Sequence, residues 1–316
     1  MTFETERLTL RPWEQEDAES LYKYASDERV GPAAGWKPHK NTEESKEIIK
    51  TVLSAEETYA AVLKETGEPV GSIGLMLGKA SNLNLPENEA EIGFWIGAPY
   101  WGRGLIPEAV NALIRRAFGE LNLERLWCAY FDGNEKSRRC QEKCGFKYHH
   151  TNKDSYWALT DEIHTEHITR LEKRYVRPLL SPEIPKALDL IWEVFLKFDA
   201  SYYTEEGIKT FRANLDDKKR TDSLKWYGAF DKGSLAGILA IGEDRHFGAF
   251  FVKGEYQGKG YGRMLFETVK KDFDKQELTV NASPYAVKIY ERLGFVPTDK
   301  EQTVKGLRFT PMLYRD

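Results

Sequence analysis

Two glycine-rich stretches hold the residue types best suited to chemistry. The first is Pro99-Tyr100-Trp101-Gly102-Arg103-Gly104-Leu105-Ile106-Pro107-Glu108, and the second is Tyr256-Gln257-Gly258-Lys259-Gly260-Tyr261-Gly262-Arg263. Each follows a strand-like run, which in the second case ends at Val252, and each opens an amphipathic helix. A strand, a glycine turn and a helix in that order gather backbone N–H groups and the positive end of a helix dipole around one point, which suits an anion. Glycine lets a ligand approach the backbone closely, and Arg103, Lys259 and Arg263 add charge suited to phosphate. Neither stretch has the Walker or dinucleotide-binding glycine spacing, so the phosphate of some other carrier is implied.

The elements that must position these loops recur in the same order. In the first half, strands are expected at Arg7–Arg11, Tyr59–Lys64, Val70–Leu77 and Ala90–Ile96, with helices over 17–25 and from the Asn41/Glu44 capping box to about Leu53. After the first loop, Val110, Leu113, Ile114, Ala117 and Phe118 recur at helical spacing. A strand over 125–130 and a helix over 137–144, stopped by Gly145, follow. In the second half, helices are expected over 182–198 and 204–215 and strands at Trp226–Phe230, Leu235–Ile241 and His246–Val252. The second loop and its helix come next, then a strand at Leu278–Asn281 and a helix at Pro284–Arg292 closed by Gly294. The repeated loop, helix, strand and helix predict two copies of one domain, 1–172 and 173–316.

The chain has 316 residues, 41% of them hydrophobic and 13% aromatic, which suffices for two buried cores and argues against disorder. The net charge of −4 divides into −6 through Tyr175 and +2 after it; neither half is basic enough to suggest nucleic-acid binding. No apolar run is long enough to span a membrane, and the opening residues lack a secretory signal. Cys128, Cys140 and Cys144 are too few and too clustered for a disulfide framework and fit a reducing compartment, so the expected location is cytoplasmic. Cys140 and Cys144 followed by His149 and His150 lack an established zinc spacing, and no metal is expected.

The second half resembles the GNAT acyltransferases. Gln257-x-x-Gly260-x-Gly262 matches their pyrophosphate-binding signature, and Asn281 through Phe295 looks like their closing segment. The first half resembles the GNAT branch of ribosomal-protein alanine and serine N-acetyltransferases, through Thr5–Pro12, Ala90–Trp95 with Tyr100–Gly104, and Asn134-x-x-Ser137 with Glu142–Phe146. The resemblance implies an α+β fold, two tandem GNAT (acyl-CoA N-acyltransferase) domains, each a mixed, mostly antiparallel sheet flanked by helices. Its central strands would splay to admit a pantetheine arm. It also implies acetyl-CoA as cosubstrate and a primary amine as acceptor, either a small molecule or a peptide N-terminus. The acceptor's identity and the oligomeric state, including a homo-oligomer, stay open.

By the same resemblance, Tyr290, four residues before Gly294, protonates the departing thiolate. The base falls at the start of the strand entering each loop, at His246 in the second copy and Glu91 in the first. Trp101, Gly102, Arg103, Gly104, Leu105, Ile106, Asn134 and Ser137 would hold the cofactor in the first copy. Val252, Gln257, Gly258, Lys259, Gly260, Tyr261, Gly262 and Arg263 would do so in the second. The first copy departs from the pattern: Trp101 replaces Gln or Arg, Ile106 replaces the second small residue, and Gln141 stands where the second copy has Tyr290. The second copy is therefore the expected active one. The alternative is that one copy, the first before the second, binds coenzyme A without turnover as a regulatory or structural module. The aromatic run from Trp192 to Tyr203 is expected either to line the acceptor cleft or to anchor its helices, with the anchoring role favoured.

Overall fold

A computed structural model describes residues 1–273 and 277–315. It divides into two compact units, Met1–Lys173 and Arg174–Asp316.

Unit 1 runs β1 (Phe3–Glu4), β2 (Leu8–Arg11), α1 (Ala18–Ala25), α2 (Thr42–Ile48), β3 (Thr58–Leu63), β4 (Glu68–Leu77) and β5 (Glu89–Ile96). It continues through α3 (Leu105–Arg115), β6 (Arg125–Phe131), α4 (Glu135–Lys143), β7 (Lys147–Trp157) and β8 (Glu162–Glu172). Asn41 caps α2 as its sequence predicts, accepting from the Glu44 N–H at 2.8 Å. The Glu44 carboxylate, however, takes the N–H of Lys40 rather than that of Asn41. The sheet order is β1-β2-β3-β4-β5-β6-β8-β7. Trp13, Leu21, Ile49, Ala60 and Val62 form a core under α1 and α2. The apolar face of α3, with Val110, Leu113, Ile114 and, beyond its end, Phe118, is also buried. The hairpin β7–β8 has no counterpart among the expected strands. Its edge strand β7 is largely exposed and polar, so the sequence lacks the period-two signal of a half-buried strand.

Unit 2 runs β9 (Arg174–Pro178), α5 (Ile184–Val194), α6 (Glu205–Asp216), α7 (Lys218–Asp222), β10 (Lys225–Asp231), β11 (Ser234–Ile241) and β12 (His246–Val252). It ends with α8 (Tyr261–Asp272), β13 (Leu278–Ala282), α9 (Val287–Arg292), β14 (Val296–Pro297), β15 (Gln302–Val304) and β16 (Leu307–Tyr314). Its sheet order is β14-β16-β13-β12-β11-β10-β9, with β15 paired to β16. Both faces are covered, and the alternation along β10 and β11 assigns them. Tyr227, Ala229, Leu239 and Ile241 join the core with Leu265 and Val269 of α8, while Trp226, Ile238 and Ala240 join the core with Leu190 and Ile191 of α5.

One feature of both sheets creates the sites. In unit 1 the only parallel pair is β5 with β6, and it holds register just through Glu89, Ala90 and Glu91, although β5 continues to Ile96. In unit 2 the parallel pair is β12 with β13, in register only at His246 and Phe247, although β12 continues to Val252. Beyond those residues the strands part, and each sheet opens a slot at its centre.

Candidate functional site

A cleft of about 490 Å³ occupies the slot of unit 2. Its walls come from Phe247–Val252 of β12, from Val280, Asn281 and Ser283 on and after β13, and from Ala286, Ile289 and Tyr290 around α9. The lining also includes Gln257, Gly258, Gly260, Tyr261 and Gly262 of the glycine loop, and Phe195, Asp199, Tyr203 and Phe211. Lys259 and Arg263 flank the loop without lining the cleft. Unit 1 has a cleft of about 930 Å³ in the same setting, lined by Phe94–Ile96, the loop residues Trp101, Gly102, Gly104, Leu105 and Ile106, and Asn134 and Ser137.

The two loops share one backbone geometry. Gly102 and Gly104 have φ of 78° and 75°, and Gly258 and Gly260 have φ of 71° and 93°, in the left-handed region that glycine enters without strain. Space lies open where a Cβ would stand on Gly102, Gly258 and Gly260. Trp101 and Gln257, chemically unlike, make the same bond: the Trp101 indole donates to the Ile96 carbonyl at 3.0 Å, and the Gln257 amide donates to the Val252 carbonyl at 3.0 Å. Each ties the loop to the last residue of the diverging strand. The departure at Trp101 therefore preserves the contact that shapes the loop. Lys136 also sits over the Trp101 ring at 3.5 Å.

Bracing by an arginine near the start of each unit recurs as well. Arg7 donates to the Arg103 carbonyl at 2.8 Å and pairs with Glu108 at 2.7 Å, and Arg174 donates to the Lys259 carbonyl at 3.4 Å. Arg11 with Asp17 and Arg177 with Glu183 form two-pronged ion pairs at the same separation in sequence. Arg7 and Arg174 are thus part of what holds the two loops. A cradle of glycine amides at a helix start, open on one side, fits the pyrophosphate of a coenzyme A thioester, and the splayed strands fit its extended arm.

The remaining candidates divide sharply. Tyr290 lines the unit 2 cleft, is 5% exposed, and has its phenol pKa pushed far up by burial and then by the nearby Asp199 charge, so it stays protonated. His246 does not line the cleft. Its ring bonds to the Thr279 hydroxyl at 2.9 Å, and burial lowers its pKa. Glu91 does not line the unit 1 cleft and is not half-exposed as its strand position suggests. It is 6% exposed, accepts a hydrogen bond from Ser81 at 2.7 Å, and burial raises its pKa. Both lie in the short stretch where the parallel strands are still paired, behind the point where the slot opens. In unit 1, Gln141 is 1% exposed, donates to the Ala129 carbonyl and the Ser137 hydroxyl, and accepts from Thr169 at 2.6 Å. It is consumed in packing the α4 helix to the sheet. Asn134 caps α4 through the Ser137 N–H at 3.1 Å and donates to the Ala33 carbonyl.

Sequence reasoning passed over Asp199. A π-helical turn, Phe195–Asp199, continues α5 and delivers this carboxylate into the cleft wall at 5% exposure. Burial pushes its pKa up to about 6, against a smaller opposing effect of a hydrogen bond with Ser283. The available signal was an acid directly after Phe198 in the aromatic run, and Phe195 and Tyr203 of that run do line the cleft.

Residues 7–147 match a family model described as an acetyltransferase (GNAT) domain, and residues 199–315 match a second model with the same description. The uncharacterized N-acetyltransferase p20 of Bacillus licheniformis is 36% identical over 130 residues, which is 40% of this chain and 70% of that protein. The uncharacterized N-acetyltransferase YoaA of Bacillus subtilis is 30% identical over 156 residues, 46% of this chain and 81% of that protein. A GNAT-family acetyltransferase structure from Bacillus anthracis is 23% identical, with a TM-score of 0.49, covering 54% of this chain and 98% of that one.

Proposed function

The chain belongs to the GNAT acetyltransferase family, with two such domains in tandem, and from that premise we propose that unit 2 transfers the acetyl group of acetyl-CoA directly to a primary amine. The observation that carries this reading is that the glycine loop and Tyr290 line one cleft. The loop amides of Gly258 to Gly262 would hold the pyrophosphate. Tyr290, protonated across the physiological range, would give its proton to the sulfur as the carbon–sulfur bond breaks. Orienting amine and thioester in one slot supplies the larger share of the rate.

Unit 1 has the loop geometry for the same cosubstrate but no phenol at the matching helix position. The three hydrogen bonds of Gln141 favour unit 1 as a coenzyme A-binding module without turnover. Amine-dependent release of free thiol from acetyl-CoA by the full chain tests the proposal. Thiol release that rises with added primary amine, together with a mass gain of one acetyl group on the amine, is the expected result. Binding of acetyl-CoA with no transfer to any primary amine would contradict it.

A further inference from the structure

Asp199 is a buried carboxylate with no cationic partner among the described residues; its one favourable contact is the Ser283 hydroxyl. The buried acids Asp17, Glu57 and Glu89 are neutralised by Arg11, Arg116 and Arg125, whereas Glu91 and Glu166 share the burial of Asp199 but line neither cleft. A lone buried carboxylate is costly unless a cation arrives to pair with it. Among the residues lining the unit 2 cleft, Asp199 is the one acid and Arg292 the one base. The wall around Asp199 is aromatic: Phe195 stacks on Phe211 at 3.8 Å between centroids and on Tyr203 at 5.5 Å.

We propose that Asp199 binds the ammonium of the acceptor and takes its proton, and that the acceptor is a singly charged primary amine on an aromatic or aliphatic body. This rests on the transferase reading of unit 2. The ammonium gives one proton to the Asp199 carboxylate, and the freed nitrogen lone pair forms a bond to the acetyl carbonyl carbon. The carbon–sulfur bond breaks, Tyr290 gives its proton to the sulfur, and the nitrogen's surplus proton returns to the Tyr290 oxygen. The products are the N-acetyl amine and the free thiol, and Asp199 sheds its proton to solvent. The raised pKa of Asp199, still below neutrality, suits a base that is ionised before the amine enters and accepts a proton readily once it has. A polyamine or aminoglycoside would bring further charges into a cleft that holds no second acid, and burying them unpaired is unfavourable.

The test uses the full chain with acetyl-CoA and four probes: phenethylamine, butylamine, spermidine and the neutral isostere phenethyl alcohol. Phenethylamine is expected to exceed spermidine in kcat/KM by about tenfold or more. Asp199→Asn is expected to lower the phenethylamine value by about 100-fold, with acetyl-CoA affinity unchanged. Inhibition by phenethyl alcohol should be equal in both proteins, since it carries no charge for Asp199 to meet. The amine ranking on the unsubstituted chain tests the acceptor class even if the variant folds poorly. Spermidine turned over as fast as phenethylamine, or an Asp199→Asn enzyme of undiminished rate, would overturn the inference while leaving the transferase intact. Acetyl-CoA binding without thiol release for any amine would instead overturn the proposed function, and this inference with it.

Discussion

If Asp199 is held ionised in an apolar wall for the sake of an incoming cation, the free protein must bear the cost. Its carboxyl is raised from the ordinary 3.8 to about 6. At about 1.4 kcal/mol per unit, that shift corresponds to about 3 kcal/mol between the neutral and ionised forms. A pKa raised in the folded state stabilises the fold fully below the unfolded value, and that stability is lost as pH rises through the folded value. Asp199→Asn keeps the shape and the Ser283 contact without the charge. It should therefore stabilise unit 2 by about 3 kcal/mol at pH well above 6, and the gain should vanish below about pH 4. For a unit of this size the melting temperature should rise by roughly 5–10 °C at about pH 8. Calorimetry of both proteins across that range is the assay, with hydrogen exchange of β11 and β12 assigning the transition to unit 2. A variant no more stable than the parent at high pH would mean that Asp199 has a neutralising partner after all and is not kept for an incoming cation. Loss of activity with gain of stability is the signature of a residue kept for function.

Three further expectations concern the same geometry. The kcat/KM for an amine should rise with pH through about 6 as Asp199 ionises, and the acidic limb should disappear in Asp199→Asn; a pH-rate profile with the same limb in both would contradict this. Trp101→Gln should retain acetyl-CoA binding in unit 1, because an amide can reach the Ile96 carbonyl as Gln257 reaches Val252, whereas Trp101→Ala should weaken it; titration calorimetry distinguishes the two. Gly260→Ala, at a φ of 93°, should cost about 1–2 kcal/mol of stability and weaken acetyl-CoA binding by unit 2, read by thermal unfolding and titration.

The glycine loops, the helices they open and the Tyr290 position were readable in the sequence because glycine punctuates it and because Tyr290 keeps a fixed spacing to Gly294. The equivalence of Trp101 and Gln257 was not readable: indole and amide share only an N–H, and that N–H matters only once the carbonyl five residues back is in place. Asp199 escaped because its role depends on a π turn and on Ser283, which β13 brings in from far along the chain. His246 and Glu91 were misplaced relative to the clefts for a related reason. Strand position alone does not say where parallel strands part, and both residues lie behind that point. The β7–β8 hairpin was missed because an exposed edge strand carries no hydrophobic alternation.

Whether unit 2 is the working site and Tyr290 its proton donor is decided by steady-state thiol release from the full chain carrying Tyr290→Phe. The substitution removes one oxygen from a buried ring that has no hydrogen-bond partner among the described residues, so folding and acetyl-CoA affinity should persist. A fall in kcat of about 100-fold or more is expected. A rate within about twofold of the parent would contradict it.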